Sequence, residues 1–194
     1  NGKIMKSKVK HNAFLICLVT VIVALDQWTK LLVTHKLAIG EGFSPIAFLG
    51  DFFTIVHWRN TGAAFGLFQN ANTVLLVVSI IIALAVLFYY QVVNPKDWLA
   101  KVSLTLVFSG AVGNIIDRVK FGYVIDFLSF GRFPVFNVAD SAVTVGVLLM
   151  VIHYLIEERK ALKSKEAETD KDECKAGDSD KENKEVVCKG EDNE

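Results

Sequence analysis

Residues 73–93 read TVLLVVSIIIALAVLFYYQVV, and this stretch decides the fold class of the chain. No charged residue occurs between Arg59 and Lys96. At about 1.5 Å per residue, a helix of this length crosses a hydrocarbon core roughly 30 Å thick. The chain is therefore predicted to be a membrane protein, and an ordinary soluble globular fold is excluded.

Three further apolar stretches, at about 12–33, 98–118 and 138–157, bring the predicted number of spans to four. An even number of spans places both termini on one side of the membrane. Ten lysines and arginines flank that side against six on the opposite joins, which predicts cytoplasmic termini by the positive-inside rule. A cleavable signal peptide is the competing interpretation of the first span. No small-residue cleavage site follows it, however, and the polar residues DQWTK (26–30) interrupt it.

The formal net charge of zero over 194 residues conceals a basic body and an acidic tail. Residues 157–194 carry 9 Lys or Arg and 14 Asp or Glu, whereas the rest of the chain carries 12 and 7. We predict a membrane domain over 1–165 and a disordered cytoplasmic tail over 166–194, since the tail has too little apolar surface to offset its ordering entropy. The excess positive charge of the body is small and lies beside apolar spans, so nucleic-acid binding is not expected.

The two joins on the outer side contain short apolar runs that predict β-structure. IAFLGDFFTIVHW (46–58) places two such runs around Gly50 and Asp51, a pair of residues typical of a two-residue hairpin turn. GYVIDFLSF (122–130) and FPVF (133–136) flank Gly131 and Arg132 in the same manner. A small sheet on the outer surface is therefore expected.

Spacing along the helices brings several carboxylates to one depth. Asp26 lies 16 residues after Lys10, Asp117 lies 16 after Lys101, and Asp140 lies 17 before Glu157. At about 1.5 Å per residue, each is roughly 24–26 Å from the cytoplasmic flank, near the outer edge of the hydrocarbon. Asp126 follows Asp117 by nine residues in the outer segment, and we expect it to join this layer.

Ionisable groups at this depth are costly, so each needs a partner or a task. Asp26 and Lys30 have the i,i+4 spacing of a helical ion pair, and Asp117 is followed by Arg118. A structural role in holding the bundle together or marking the interface is the simpler interpretation of these. Asp126 and Asp140 have no cation within four residues on either side. For these two, a turn and a helix cap, respectively, compete with a catalytic role.

Two carboxylates held close together in a low-dielectric pocket share one proton and titrate as a pair. In the aspartic-protease arrangement, the ionised carboxylate takes a proton from water while the protonated one donates a hydrogen bond to the scissile carbonyl. The four histidines show no ligand spacing, the three cysteines are scattered, and the serines near this layer have no evident basic partner. No metal or other cofactor is therefore expected.

Amides and glycines accompany the acidic layer. Asn60, Asn114 and Asn137 are candidates to hydrogen-bond a substrate backbone, with capping or turn formation as the alternative. Glycines of two motifs are candidates for close approach of a bound peptide, and close helix packing is an equal alternative for the second pair. They are Gly62 and Gly66 in RNTGAAFG (59–66), and Gly110 and Gly113 in SGAVGN (109–114).

Five motifs in this order on a four-span chain closely resemble bacterial lipoprotein signal peptidase, also called signal peptidase II. They are DQWTK (26–30), RNTGAAFG (59–66), GAVGNIIDR (110–118), VIDF (124–127) and FNVADS (136–141). The resemblance covers roughly residues 12–158. It implies a membrane fold of four transmembrane helices with a small outer β-cradle and a short amphipathic helix. We expect residues 61–71 to form that amphipathic helix.

The resemblance further implies an intramembrane aspartyl endopeptidase that cleaves prolipoproteins just before the diacylglyceryl-modified cysteine. Asp126 and Asp140 would be its catalytic dyad. The residues implied to contact substrate or inhibitor are Asn60, Gly62, Asn114, Arg118 and Asn137, and the supporting residues are Asp26, Lys30 and Asp117. Expected partners are prolipoproteins, membrane lipid and globomycin-type cyclic peptides, which occupy the dyad. A monomer in the bacterial inner membrane, with its active site near the outer leaflet, is expected.

Two other classes of function compete with the protease. A small channel or transporter would use the aspartates as a proton or cation path, but ionisable residues would then be spread through the membrane depth. A non-catalytic scaffold leaves the cost of the carboxylate layer unexplained. The Gly-x-Gly-Asp signature of presenilin-type membrane proteases is absent from the sequence.

Overall fold

The structure is a computed structural model that describes residues 2–62 and 71–188. Met150 ends the first of two compact units, and Val151 begins the second. The elements follow in the order α1 (Gly2–Lys36), β1 (Gly42–Phe43), a 3-10 segment (Ala47–Phe52), β2 (Phe53–Asn60), α2 (Asn72–Val92), α3 (Trp98–Phe121), β3 (Val124–Phe130) and α4 (Val138–Cys188).

Four helical stretches in the described part of the chain are long and apolar enough to cross a membrane. They are Ala13–Lys36, Asn72–Val92, Trp98–Phe121 and Val138–Lys165. These stretches agree with the predicted spans to within a few residues, except that the last continues further. The fold class of four membrane helices with a small sheet is thereby confirmed.

Helix α3 packs against both α1 and α2 and carries many of the buried residues of the helical core. Its buried residues are mostly small, and the hydroxyls of Ser103, Thr105 and Ser109 bond to carbonyls one turn earlier on the same helix, at 2.6–2.7 Å. Such back-bonding satisfies hydroxyl groups where water is absent. The α3 surface is therefore flat enough for neighbouring backbones to approach closely.

Gly110 and Gly113 are the positions at which α3 approaches α4 and α1 most closely. A Cβ atom added at Gly110 would lie 2.2 Å from the carbonyl oxygen of Ala139, and one at Gly113 would lie 2.7 Å from Oδ2 of Asp26. These two glycines therefore serve packing of α3 against α4 and α1. The alternative of a peptide approaching them is not supported, because protein atoms already occupy that space.

The sheet connects the segment between α1 and α2 with the segment between α3 and α4, in the antiparallel order β1-β2-β3. The predicted hairpin around Gly50 and Asp51 is wrong, because residues 47–52 form the 3-10 segment and β2 pairs instead with β3. Gly50 does have the expected positive φ, of 48°. In the second join, the run after Gly131 does fold back onto β3, where Phe136 forms an antiparallel bridge with Leu128 and its carbonyl oxygen also accepts the backbone N–H of Phe127.

Helix α4 continues from the membrane stretch into the charged tail and ends at Cys188. Lysine and glutamate are the commonest residues in this part of the sequence, and both are good helix formers. The boundary at residue 165 and the disorder of the tail stay predictions. Most of the predicted amphipathic helix, residues 63–70, lies outside the described residues.

Candidate active site

A cavity of about 980 Å³ opens between the sheet and helices α2, α3 and α4. Asp126 on β3 and Asp140 on α4 both line it, so the structure brings together the two carboxylates that have no neighbouring cation in sequence. The other predicted site residues in its lining are Asn60, Gly62, Asn114 and Arg118. Apolar side chains of the three helices, including Ile82, Val107 and Val143, line the same cavity.

Asp126 lies on β3 opposite Trp58 of β2, and only 1% of its surface is exposed. Its Oδ2 accepts a hydrogen bond from Nδ2 of Asn60 at 2.8 Å, and its Oδ1 accepts one from Nδ2 of Asn137 at 2.7 Å. Burial, with a further contribution from the charge of Asp140, raises the pKa of Asp126 to about 7, although both amide hydrogen bonds act in the opposite direction. The Asp126 carboxyl therefore keeps its proton to a pH well above the range in which an aspartate ordinarily ionises.

Asp140 lies in the first turn of α4 and is held from two sides. Its Oδ1 accepts a hydrogen bond from Nδ2 of Asn114 at 2.8 Å, and its Oδ2 accepts one from the backbone N–H of Asn137 at 3.2 Å. Oδ1 of Asn137 in turn accepts the backbone N–H of Asp140 at 2.8 Å. This reciprocal pair is a capping box in which Asn137 is the cap. Oδ2 of Asp140 thus takes part in capping α4, with Asn137 as the cap residue, whereas Oδ1 of Asp140 bonds to Asn114.

Asn137 differs from the other predicted substrate-contacting residues, because it is completely buried and does not line the cavity. Its Nδ2 lies 2.7 Å from Asp126, 3.1 Å from Oδ1 of Asn114 and 3.4 Å from the carbonyl oxygen of Ile125. The side chain thereby connects both aspartates to each other through amide groups. Its geometry suits holding the pair and leaves no surface for a substrate.

Asp26, Lys30 and Asp117 form a buried ion cluster in which no member is more than 2% exposed. Lys30 Nζ lies 2.8 Å from Oδ2 of Asp26 and 2.8 Å from Oδ2 of Asp117. Asp117 is therefore paired with Lys30 of α1 and not with the adjacent Arg118, as expected from the different directions of successive side chains on a helix. The predicted Asp26–Lys30 pair is present.

Gln27 is a member of this cluster that sequence reasoning missed. Its Nε2 donates to Oδ1 of Asp117 at 2.9 Å, to Oδ2 of Asp26 at 3.2 Å and to the carbonyl oxygen of Gly113 at 3.3 Å. The sequence feature that could have identified Gln27 is an amide side chain within an apolar span, directly after Asp26.

Arg118 lines the cavity and is half-buried. Within the described ranges, its guanidinium has no hydrogen bond or ion pair, although the charges of Asp140 and Asp126 act on it. Asn60 is already occupied, since its Oδ1 accepts the backbone N–H of Gly62 at 3.0 Å. Among the predicted substrate-contacting residues, Arg118 therefore has the most N–H groups left to donate to a ligand.

Two aspartates, one buried and one half-buried, that line a cavity within a four-helix membrane fold are the architecture of an intramembrane aspartic peptidase. The family model described as signal peptidase (SPase) II matches residues 18–156, and the chain belongs to this family. It is a multi-pass bacterial membrane protein and an aspartic endopeptidase that removes signal peptides from prolipoproteins. The channel, transporter and scaffold alternatives are not favoured.

Individual relatives agree with this assignment. The chain is 42% identical to the lipoprotein signal peptidase of Symbiobacterium thermophilum over 149 residues, which are 75% of this chain and 96% of the relative. It is 41% identical over 153 residues to that of Desulforapulum autotrophicum, covering 74% of this chain and 93% of the relative. A solved structure described as a bacterial membrane enzyme, at 35% identity, superposes with a TM-score of 0.68 over 75% of this chain and 90% of that one.

Proposed function

We propose that Asp126 and Asp140 are the catalytic dyad, and that cleavage occurs immediately before the diacylglyceryl-modified cysteine. The observation that carries this assignment is the contrast between two carboxylate pairs. Asp26 and Asp117 both form ion pairs with Lys30, whereas the hydrogen-bond donors to Asp126 and Asp140 in the described part of the chain are all neutral amides. Unneutralised carboxylates beside a cavity are the groups with proton-transfer capacity.

The chemistry needs one proton shared by the pair. The ionised carboxylate accepts a proton from water, whose oxygen attacks the scissile carbonyl carbon, while the protonated carboxyl donates a hydrogen bond to the carbonyl oxygen. Collapse of the tetrahedral intermediate breaks the C–N bond, and the dyad returns a proton to the leaving amine of the cysteine. The raised pKa of Asp126, about 7, supports retention of this proton near neutral pH.

Other residues of the cavity have separate roles in this proposal. Arg118 donates to carbonyl oxygens of the bound peptide, because its guanidinium is free to do so within the described residues. Asn60 and Asn114 orient the two carboxylates and contact the substrate beside them. Gly62 leaves room for the peptide backbone at the cavity wall. Globomycin-type cyclic peptides would inhibit by occupying the same space.

The lipid of the substrate has a positional role. Ile82, Val107 and Val143 give the cavity an apolar side formed by membrane helices, suited to an acyl chain that enters from the bilayer. We place the cavity near the outer leaflet and both termini in the cytoplasm, on the basis of the even number of spans and the distribution of lysine and arginine. The enzyme acts as a monomer in this proposal, since the dyad and its amides come from one chain.

The test is cleavage of a diacylglyceryl-modified prolipoprotein by the purified protein in detergent or lipid. We expect a released signal peptide and a product whose first residue is the lipid-modified cysteine. A matched substrate without the diacylglyceryl group, at equal membrane concentration, should be cleaved far more slowly, because anchoring positions the scissile bond beside the dyad. Equal rates would remove lipid anchoring from the mechanism, and cleavage at another bond would contradict the site assignment.

A further inference from the structure

The buried ion cluster of Asp26, Gln27, Lys30 and Asp117 touches the main chain at two places that matter for the dyad. Oδ2 of Asp117 accepts the backbone N–H of Ile125 at 3.1 Å, and Ile125 immediately precedes Asp126. Oδ1 of Asp26 accepts the backbone N–H of Ala139 at 2.9 Å, and Ala139 immediately precedes Asp140. Each catalytic aspartate is thus preceded by a residue whose amide bonds to a carboxylate of one cluster.

The two bonds join elements that are otherwise separate in sequence. Ala139 lies at the start of α4, where backbone N–H groups have no partner within the helix, and Asp26 of α1 supplies one across 113 positions. Asp117 of α3 supplies the acceptor for β3. Lys30 bridges the two carboxylates at 2.8 Å on each side and also donates to Oδ1 of Asn114 at 3.3 Å. Asn114 in turn bonds to Asp140.

We infer that this ion cluster positions both catalytic aspartates relative to each other, through the peptide N–H before each of them. Its members are positioning residues and do not touch the substrate, because Asp26, Gln27, Lys30 and Asp117 are absent from the cavity lining. The inference rests on the proposed dyad and extends it. The ammonium of Lys30 bonds to both carboxylates and so links the hydrogen bond to β3 with the hydrogen bond to α4. Disturbance of either carboxylate should therefore misalign the two catalytic aspartates.

The hydrogen-bond pattern predicts an asymmetry between two substitutions that change the charge equally. At Asp117, Oδ2 serves both Lys30 and Ile125, while Oδ1 accepts in the described structure only from the amide of Gln27. An asparagine can therefore keep its oxygen at the Oδ2 position and direct its NH₂ toward Gln27, which disturbs only the hydrogen bonds of that side chain, whose Nε2 also donates to Asp26 and Gly113. Asp117→Asn thus preserves the attachment of β3.

Asp26 has no such freedom, because one of its oxygens accepts from the backbone of α4 and the other from Lys30. Oδ1 accepts the N–H of Ala139, and Oδ2 accepts from Lys30 and Gln27. In Asp26→Asn, the NH₂ group must face either the backbone N–H or the ammonium, and one donor is left without an acceptor in a buried place. The same loss of one charge therefore detaches α4 or Lys30 at this position.

The experiment compares Asp26→Asn, Asp117→Asn and Asp117→Ala in the cleavage assay, with kcat and KM measured separately and membrane insertion verified. Lys36→Met, which removes an exposed charge near the end of the same α1 helix, is the control and should retain wild-type kinetics. We expect Asp117→Asn to stay within about tenfold of wild-type kcat, and Asp26→Asn and Asp117→Ala to lose on the order of 100-fold, as for displaced catalytic groups. KM should change little in all three.

Equal kcat values for inserted Asp26→Asn and Asp117→Asn, or a loss confined to KM, would overturn the inference. If Asp26→Asn does not fold, the ratio between Asp117→Asn and Asp117→Ala decides the question at a single position. Gln27→Leu keeps every charge and removes only the donor bonds of Gln27, so it serves where both severe variants fail to insert. It should lower kcat several-fold at constant KM, and wild-type kcat would contradict the inference.

Asp126→Asn and Asp140→Asn are assayed in parallel to separate this inference from the proposed function. If either retains turnover, the dyad assignment fails. If both are inactive while all variants of the cluster keep wild-type kcat, the dyad stands and only the positioning inference fails.

Discussion

Nδ2 of Asn137 donates a 2.7 Å hydrogen bond to Oδ1 of Asp126 from a side chain that has no exposed surface. In this structure the asparagine does not line the cavity. Its amide instead fixes one carboxylate, while its backbone and Oδ1 fix the first turn of α4 that carries the other. The site is thus built around a buried amide as much as around its two acids.

Substitution of either member of the dyad is the primary test of the proposed site. Asp126→Asn and Asp140→Asn should each abolish detectable cleavage, because an amide retains the shape of the carboxyl but cannot share the proton. Loss of one half of an acid–base pair costs several kcal/mol of transition-state stabilisation, or about 10²–10⁴-fold in rate. Asp97→Asn, outside the cavity in the join between α2 and α3, is the matched control. Near-normal turnover by either dyad variant, once inserted, would refute the assignment.

The pH dependence of cleavage follows from the raised pKa of Asp126. A pair that works with one proton loses activity when the second carboxyl ionises, so kcat/KM should fall as pH rises above about 7. The hydrogen bond from Asn60 favours the ionised form of Asp126, and its removal in Asn60→Ala should raise this pKa further. The alkaline limb would then move to higher pH.

Asn94→Ala, which removes a turn hydrogen bond to the backbone N–H of Lys96 in another join, serves as the control for the pH profile. It should leave the alkaline limb in place. A profile that stays flat well above pH 7, or a limb that Asn60→Ala moves to lower pH, would count against shared-proton chemistry at Asp126.

Asn137 and Arg118 should respond differently in a kinetic comparison. Asn137→Ala should lower kcat with little change in KM and cost on the order of 2–3 kcal/mol of stability, because a helix cap and a buried hydrogen bond are both lost. Arg118→Gln should instead raise KM roughly tenfold, since a charge-assisted hydrogen bond to substrate contributes about 1.5–3 kcal/mol. Steady-state kinetics with thermal unfolding in detergent checks both. If Asn137→Ala changed mainly KM and Arg118→Gln changed mainly kcat, the roles assigned to these two residues would be exchanged.

Gly110→Ala tests the close approach of α3 and α4. The added Cβ would meet the carbonyl oxygen of Ala139 at 2.2 Å, so the helices must separate at a cost of about 1–3 kcal/mol. Because Ala139 precedes Asp140, cleavage should fall along with the unfolding temperature. Gly40→Ala is the control: its φ of 81° makes it costly for alanine, but no atom lies within 4 Å, so only stability should change. Unchanged cleavage by Gly110→Ala would contradict this geometry.

Deletion of residues 166–194 tests the predicted domain boundary. The charge distribution predicts that the tail lies on the cytoplasmic side, opposite the proposed position of the dyad. Cleavage by the truncated, correctly inserted protein should therefore match that of the full chain. A large fall in kcat/KM would show that the tail contributes to the active conformation.

Much of the fold and part of the site were predictable because they depend on local quantities. The apolar length of each span and the rise of a helix are enough to predict four crossings and a common depth for Asp26, Asp117 and Asp140. The absence of a nearby cation in sequence correctly distinguished Asp126 and Asp140 from the ion-paired carboxylates. These inferences need only spacing along one helix at a time.

Tertiary structure alone decided which groups face each other across the bundle. Asp117 pairs with Lys30 of another helix and not with Arg118, and Asn137 is buried and does not line the cavity. Strand β2 pairs with β3 and not with the run before Gly50. Hydrogen bonds and strand registers between distant segments depend on helix rotation and close packing, which sequence spacing does not determine. The sequence by itself therefore determined the number of spans, while packing decided which acids form ion pairs with Lys30 and which remain beside the cavity.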